Sequence, residues 1–385
     1  MNNIAIVIVT FNRENSLIRL LNSLKKANYG EDVVDLIISI DNSGENNVYE
    51  TSKQYDWPFG EKKIIKHMER QGLKKHVLGV GELTHEYENI IVLEDDIYVS
   101  PNFYMYSKEA AIFFKDDKNI AGISLYNFEM NPNLNIPFSN AKNGYDNYFI
   151  QFAQSWGQIW SRENWNSFST WLEFNNIFNY SEGIPPNIME WSEKSWLKYH
   201  IKYCVDNKKY FVYPNCSLST NFGDVGEHSD LVNPLYQTNL LYEKSKNYNF
   251  CSFSSHDAVI YDAYFERVLK DEHISVDVKK LCVDLYGQKK NKENKRYWLT
   301  KEKKDYKKIK SYKLALRPHE MNIIEDITGE DIYLYDCNTN EKNIRKANKN
   351  YFLYYFKILD RRIANKIQRN IYARLILNKI RKRGK

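Results

Sequence analysis

Cysteine is scarce and scattered in this chain: Cys204, Cys216, Cys251, Cys282 and Cys337 make five, odd in number and without a C-x-x-C pair. That pattern excludes a disulfide framework and a cysteine zinc site, and the five read as reduced, ordinary thiols. Long apolar runs are missing too. No segment reaches the roughly 18 apolar residues of a membrane span. Met1-Asn2-Asn3 leads directly into a short strand-like run, without the basic start and small-residue cleavage site of a signal peptide. Together these absences predict a protein that stays in the cytoplasm. The third absence is a glycine-rich phosphate loop: no G-x-G-x-x-G or Walker pattern follows an apolar strand run. Any phosphate bound here must be held by other means.

What the chain does have is length and an uneven charge. Its 385 residues suffice for one large domain with an appendage, or for two domains, each with a core. The formal net charge of +6 conceals a division at Gln288. Residues 1–288 carry 27 Lys+Arg and 38 Asp+Glu, net −11; residues 289–385 carry 28 and 11, net +17. The expected domains are therefore 1–288 and a basic C-terminal region, 289–385.

The acidic part alternates two periodicities. Ile4 to Val9 is a near-continuous aliphatic run, the pattern of a parallel strand buried on both faces, and it ends at Thr10-Phe11-Asn12-Arg13. Leu17, Leu20, Leu21 and Leu24 then recur at helical spacing before a second strand, Leu36 to Ile40, which ends in Asp41-Asn42-Ser43-Gly44. A helix near Leu73 to Leu83 precedes the third strand, Ile90 to Leu93, which delivers Glu94-Asp95-Asp96. The order predicts a doubly wound α/β domain with these strand ends along one sheet edge, where such folds bind nucleotides. Three adjacent carboxylates repel one another unless a cation shares their charge. A hard divalent ion suits an all-oxygen ligand set, and it would substitute for the missing phosphate loop.

At these residues the sequence resembles a family. Strand-Thr10-Phe11-Asn12-Arg13, strand-Asp41-Asn42-Ser43 and Val92-Leu93-Glu94-Asp95-Asp96-Ile97 with Ser100-Pro101-Asn102-Phe103 are similar to the GT-A fold glycosyltransferases, bacterial family 2-like enzymes in particular. The triplet is also similar to that of the N-acetylglucosaminyltransferase that starts complex N-glycan branching. Ser155-Trp156-Gly157-Gln158-Ile159-Trp160, Tyr213-Pro214-Asn215-Cys216-Ser217, Asn221-Phe222-Gly223 and Gly226-Glu227-His228 follow in the order of the bacterial group's later blocks. The resemblance spans about residues 1–230. It implies a GT-A fold: a Rossmann-like mixed sheet flanked by helices, with the basic and mainly helical C-terminal extension outside it.

The resemblance also implies roles. Thr10 and Arg13 would lie beside the donor nucleotide, and Asp41 would accept a hydrogen bond from uracil or ribose. Lys74 would reach the diphosphate as a point charge. Asp96 would hold Mn²⁺ or Mg²⁺, with Asp95 near the ribose and Glu94 near the transferred sugar. A general base must deprotonate the acceptor hydroxyl. Glu193 is preferred to Glu190, although related sequences place Asp two residues before the following tryptophan, where this chain has Lys194. Trp156 and Gly157 would offer an aromatic face and close backbone approach to a sugar ring. His228 would add a metal or phosphate contact from a loop closing over the donor, Asn221 to Ser229.

In the basic region, Lys289 to Lys313 holds 12 Lys+Arg against 3 acids, and residues 341–385 hold 15 against 2. Apolar and aromatic residues from Tyr351 to Ile380 recur at roughly helical spacing. A basic amphipathic helix of this kind binds an anionic membrane surface, here the inner face of the cell membrane, or pairs with a second subunit as a homo-oligomer. No nucleic-acid-binding module accompanies the charge.

The reading is a metal-dependent, inverting glycosyltransferase. It moves a sugar from a nucleoside diphosphate sugar, UDP-sugar first, to a glycan or lipid-linked acceptor in bacterial surface polysaccharide assembly. Two alternatives stand beside it: a sugar nucleotidyltransferase, which ordinarily carries a glycine-rich loop after its first strand, and a catalytically silent sugar- or partner-binding protein of the same fold.

Overall fold

The computed structural model describes residues 4–224, 233–343 and 350–355. In chain order the elements are β1 (Ile4–Thr10), α1 (Glu14–Lys25), β2 (Leu36–Ile40), α2 (Asn47–Gln54), β3 (Lys62–Lys66), α3 (Leu73–Gly81), β4 (Asn89–Glu94), β5 (Ile97–Val99), α4 (Phe103–Phe113), β6 (Ile120–Ser124), β7 (Met130–Asn131), β8 (Ile136–Pro137), β9 (Asn147–Ile150) and β10 (Gln158–Ser161). Then come α5 (Arg162–Phe174), α6 (Pro186–Met189), α7 (Trp196–Asp206), β11 (Tyr210–Pro214), β12 (Ser219–Asn221), β13 (Ile260–Tyr261), β14 (Leu281–Asp284), β15 (Tyr297–Thr300), β16 (Tyr306–Tyr312), α8 (Met321–Ile324), β17 (Ile332–Asn340) and α9 (Asn350–Tyr355). The chain divides into two compact units, residues 1–133 with 140–268, and residues 134–139 with 269–385.

The first unit is built on a nine-stranded mixed sheet in the order β13-β9-β11-β6-β10-β4-β1-β2-β3. Every residue of β1 and β2 is buried, as continuous aliphatic runs in a sheet covered on both faces require. β1 pairs in parallel with β2 and β4, and β2 with β3. β10 then enters antiparallel between β4 and β6, which makes the sheet mixed. α1 presents Leu17, Leu20, Leu21 and Leu24 to the core, as their spacing predicts.

Register places the site. Thr10 stands opposite Ile40 on β2, and Val9 opposite Glu94 on β4. The ends of β1, β2 and β4 therefore open at one edge, where a doubly wound sheet exposes its strand-end loops. Close packing elsewhere relies on glycines, Gly81 and Gly122 among them. A Cβ on Gly81 would sit 2.3 Å from the Trp165 ring, and one on Gly122 would sit 2.6 Å from Phe211, so α3 and β6 approach their neighbours as only glycine permits.

The described part of the second unit is mostly sheet. β14, β15, β17 and β16 lie side by side in that order, with the one-turn helix α8 and the short α9. Position in the sheet sets the burial: in Ile332-Tyr333-Leu334-Tyr335, on an inner strand, every residue is buried, whereas Tyr306 to Tyr312 forms an edge strand with its lysines exposed or half-exposed. Of the helical repeat expected from Tyr351 to Ile380, residues 351–355 fall in α9 and the remainder lies outside the described residues. No helix among the described residues is long and apolar enough to cross a membrane.

Candidate active site

Arg13 is the centre of the acidic edge. Its guanidinium donates to Asp95, and through Nη1 to Asp96 Oδ2 at 3.2 Å. Thr10 Oγ1 donates to the other Asp95 oxygen at 2.8 Å. The loop from β1 to α1 thus supplies part of the countercharge that the triplet demands. Sequence reasoning placed Thr10 and Arg13 on the donor nucleotide; the structure brings both onto Asp95, because the register sets the end of β1 beside the end of β4.

One cation does not neutralise three carboxylates. Burial, then repulsion from Asp96, pushes the Glu94 carboxyl well above the usual carboxylate range, and the nearby Arg13 only partly opposes this. Burial likewise raises Asp95 against the pull of Arg13. On Arg13, burial favours the neutral form, but the carboxylates outweigh it and hold the guanidinium more firmly charged.

Two acceptors at this edge are left without donors. Among the described residues, Asp96 Oδ1 and Asn221 Oδ1 are buried with no hydrogen-bond partner. They belong to neighbouring backbone: β12 pairs antiparallel with β5 so that Asn221 opposes Ile97, and the Phe222 amide donates to the Asp96 carbonyl at 3.0 Å. A buried oxygen acceptor without a donor is costly unless a cation or a ligand completes it. Two hard oxygens beside a net negative cluster suit a divalent ion, so the residues fit one. Among the described residues, no group of three or more His, Cys, Asp or Glu converges as a preformed cage. His228, expected to add a ligand, lies outside the described residues. In sequence Asn221 stands out only as part of a glycine-containing block, because the β5–β12 pairing that places its oxygen is invisible to local periodicity.

Asp41 is buried and heavily engaged. Its Oδ1 accepts from the amides of Asn42 at 2.8 Å and Gln71 at 2.6 Å, and its Oδ2 from Gly72 at 2.9 Å. The carboxylate therefore clamps the turn that enters α3, and Gly72 takes φ +72 there. Lys74, one turn further on, points its Nζ to the Glu193 carbonyl at 3.3 Å and over the Tyr199 ring at 3.6 Å.

Glu193 lies in the turn before α7, whose N-cap Ser195 accepts from the Lys198 amide. Its Oε1 accepts from Lys198 Nζ at 2.8 Å, and its Oε2 from the Tyr199 hydroxyl at 2.5 Å. The side chain is 66% exposed, while that of Lys198 is 1% exposed. The hydrogen bonds from Lys198 and Tyr199 hold the Glu193 carboxyl below its ordinary range. Glu190 caps the end of the one-turn α6 and is exposed. Sequence reasoning missed Lys198 and Tyr199. The available signal was a lysine set among aromatics, in Trp196-Leu197-Lys198-Tyr199, one turn after a candidate base.

Trp156 is half-buried against Tyr126 at 4.6 Å and Tyr236 at 5.0 Å between ring centroids. Gly157 adopts φ +92, and a Cβ there would press to 3.1–3.2 Å from Ser219, Leu125 and Leu93. The structure thus brings Thr10, Arg13, Glu94, Asp95 and Asp96 together at one edge, with Asn221 beside them, and links Lys74 with Glu193.

Residues 5–169 match the family model for glycosyl transferase family 2. No curated protein matches the chain. Similar solved structures include S. aureus TarS 1–349 in complex with UDP-GlcNAc (15% identity, 60% of this chain and 62% of that one, TM-score 0.38). The mannosyltransferase PcManGT from Pyrobaculum calidifontis, in complex with GDP-Man and Mn²⁺, gives 13%, 47%, 48% and 0.31 by the same measures. GalNAc-T7 with UDP, GalNAc and Mn²⁺ gives 14%, 57%, 43% and 0.39. The chain therefore spans less than two thirds of each of those chains. The family match falls within the first unit, whose mixed α/β sheet, with carboxylates at a strand end, is that of a GT-A fold glycosyltransferase.

Proposed function

We propose that the chain is an inverting, metal-dependent glycosyltransferase that takes a nucleoside diphosphate sugar, a UDP-sugar first, and glycosylates a hydroxyl of a glycan or lipid-linked acceptor in bacterial surface polysaccharide assembly. One observation carries the reading: a match to family 2 over a unit whose Asp96 and Asn221 oxygens stand buried and, among the described residues, unpartnered beside a triplet only partly neutralised by Arg13. Asp96, with Asn221, would hold Mn²⁺ or Mg²⁺. The ion supplies charge stabilisation to the departing diphosphate.

The chain's own residues do the rest. Arg13 and Thr10 fix Asp95, which keeps the acidic edge rigid for the donor. Asp41 orients the turn into α3, against which the nucleotide would lie. Trp156 offers the half-exposed face of an aromatic shelf to a sugar ring. Glu193, ionised and exposed, accepts the proton of the acceptor hydroxyl. The hydroxyl oxygen attacks the anomeric carbon from the side opposite the diphosphate, and the breaking C–O bond leaves its electron pair on the nucleoside diphosphate. The basic C-terminal region, 289–385, would keep the enzyme at an anionic membrane surface near its acceptor.

UDP-, GDP-, CMP- and dTDP-sugars incubated with Mn²⁺ or with EDTA, with nucleotide release and donor binding followed, test this. Metal-dependent release with one donor is expected. Absence of metal-dependent release and binding across the panel overturns the reading.

A further inference from the structure

The Glu193 carboxylate is exposed, yet it is held in place. Both of its oxygens accept from α7, and the lysine that grips one of them is buried. A buried ammonium is costly unless every donor is used. Lys198 meets that condition: Nζ donates to Glu193 Oε1 at 2.8 Å and to the Trp191 carbonyl at 2.8 Å, and it lies 4.0 Å over the Phe178 ring. Tyr199 shares its hydroxyl between Glu193 Oε2 and the Asn176 carbonyl at 3.1 Å. Burial and the Glu193 charge push that phenol up to about 12, so it stays a donor at neutral pH.

A surface glutamate with no task would not require such support, since exposed ion pairs contribute little to stability. We propose that Lys198 and Tyr199 are positioning residues that lock Glu193 into the orientation in which it takes the acceptor proton. Lys74 completes the lock from α3: its Nζ binds the Glu193 carbonyl and covers the Tyr199 ring. Among the described residues, these three are the titratable groups facing the carboxylate, two from α7 and one from α3. The inference rests on Glu193 being the base and deepens that reading. A carboxylate held on two oxygens loses little orientational freedom at the transition state, which is where positioning acts on rate. The lowered carboxyl pKa then keeps the base ionised well into the acidic range, at some cost in proton affinity.

The test pairs Tyr199→Phe and Lys198→Met with Glu193→Gln, using two readouts. Carboxyl ¹³C NMR of the full chain, with the Glu193 signal identified by its loss in Glu193→Gln, follows the titration directly and requires no acceptor. The pH profile of kcat and the donor KM, measured with the donor that the panel identifies, follow the function. Expected is a Glu193 titration below the ordinary range that moves up in both variants. The acid limb of kcat should move with it, and kcat should fall about 10-fold or more at unchanged donor KM. Tyr199→Phe keeps the ring and removes only the hydroxyl, so it remains informative if Lys198→Met fails to fold. An unmoved titration and an unmoved acid limb in Tyr199→Phe, with Glu193→Gln still inactive, overturn the positioning role and leave the base assignment standing. Normal transfer by Glu193→Gln overturns both.

Discussion

The acidic edge after β4 and the turn before α7 both join carboxylates to cations, and they are built in opposite ways. At the edge, Arg13 pairs with two of three mostly buried carboxylates, Asp95 and Asp96, and among the described residues Asp96 Oδ1 and Asn221 Oδ1 lack donors. At the turn, one exposed carboxylate faces Lys198, Lys74 and Tyr199, and both of its oxygens are engaged. Desolvation and like charge raise carboxyl pKa values at the edge, whereas donors lower the one at the turn. An unfinished cluster invites a cation from outside; a finished one holds a carboxylate ionised. On the proposed function, the two carboxylate roles of a glycosyl transfer would thus be separated by environment rather than by residue type.

The sharpest way to break this contrast is Asp96→Ala. It removes an unpartnered oxygen and one of the Arg13 contacts, and donor-dependent Mn²⁺ binding should vanish, with transfer falling by about three orders of magnitude. Isothermal titration with Mn²⁺ and a UDP-sugar reads the first effect. Unchanged Mn²⁺ affinity would place the ion elsewhere. Arg13→Met tests the same edge from the other side. Leaving Asp95 buried without its guanidinium should cost on the order of 3 kcal/mol of stability. Because a divalent ion can replace the lost charge, Mn²⁺ should restore more of the melting temperature in the variant than it adds to the parent. Equal shifts in both proteins would mean that Arg13 and the ion do not share the cluster.

How much of this was legible in sequence follows from which contacts are local. β1, β2 and β4 were readable because strands buried on both faces become continuous aliphatic runs, and their order then fixes a common edge. The triplet and Glu193 were readable as carboxylates in suggestive places. The pairing of β10 with β4, and that of β12 with β5, depend on residues more than 60 positions apart and have no periodic signature. Asn221 and the second role of Arg13 were hidden for that reason. Lys198 was hidden differently: side-chain charge argues for a surface position, and only the surrounding carbonyl, carboxylate and ring make its burial acceptable.

α7 extends the contrast to a smaller effect. Lys198 is buried between two acceptors and a ring, whereas His200, two residues later, is buried with neither ring nitrogen bonded among the described residues, stacked on Phe168 at 4.1 Å. Burial drives its pKa from 6.5 down to about 3. A depressed histidine favours the folded state above the unfolded value, and that stability is lost as pH falls below about 6.5, at roughly 1.4 kcal/mol per pH unit. Urea denaturation at pH 7 and pH 5 should show the parent losing about 2 kcal/mol more than His200→Phe. Equal losses would assign the acid sensitivity to other groups.

The smallest effect decides what Lys74 does. Read from sequence, this residue reaches the diphosphate; in the structure its Nζ lies on the Glu193 carbonyl and the Tyr199 ring. The two roles leave different kinetic traces in Lys74→Met. A diphosphate contact, present in the bound donor, would be lost as weaker donor binding, with KM rising several-fold and more at low salt. A clip on the turn before α7 never touches the donor. Its loss should leave donor affinity unchanged and lower kcat only a few-fold, because Lys198 and Tyr199 still hold both carboxylate oxygens. The clip is the outcome expected from the contacts. A several-fold rise in donor Kd, measured by titration in the absence of acceptor, would move Lys74 to the diphosphate and make the lock a property of α7 alone.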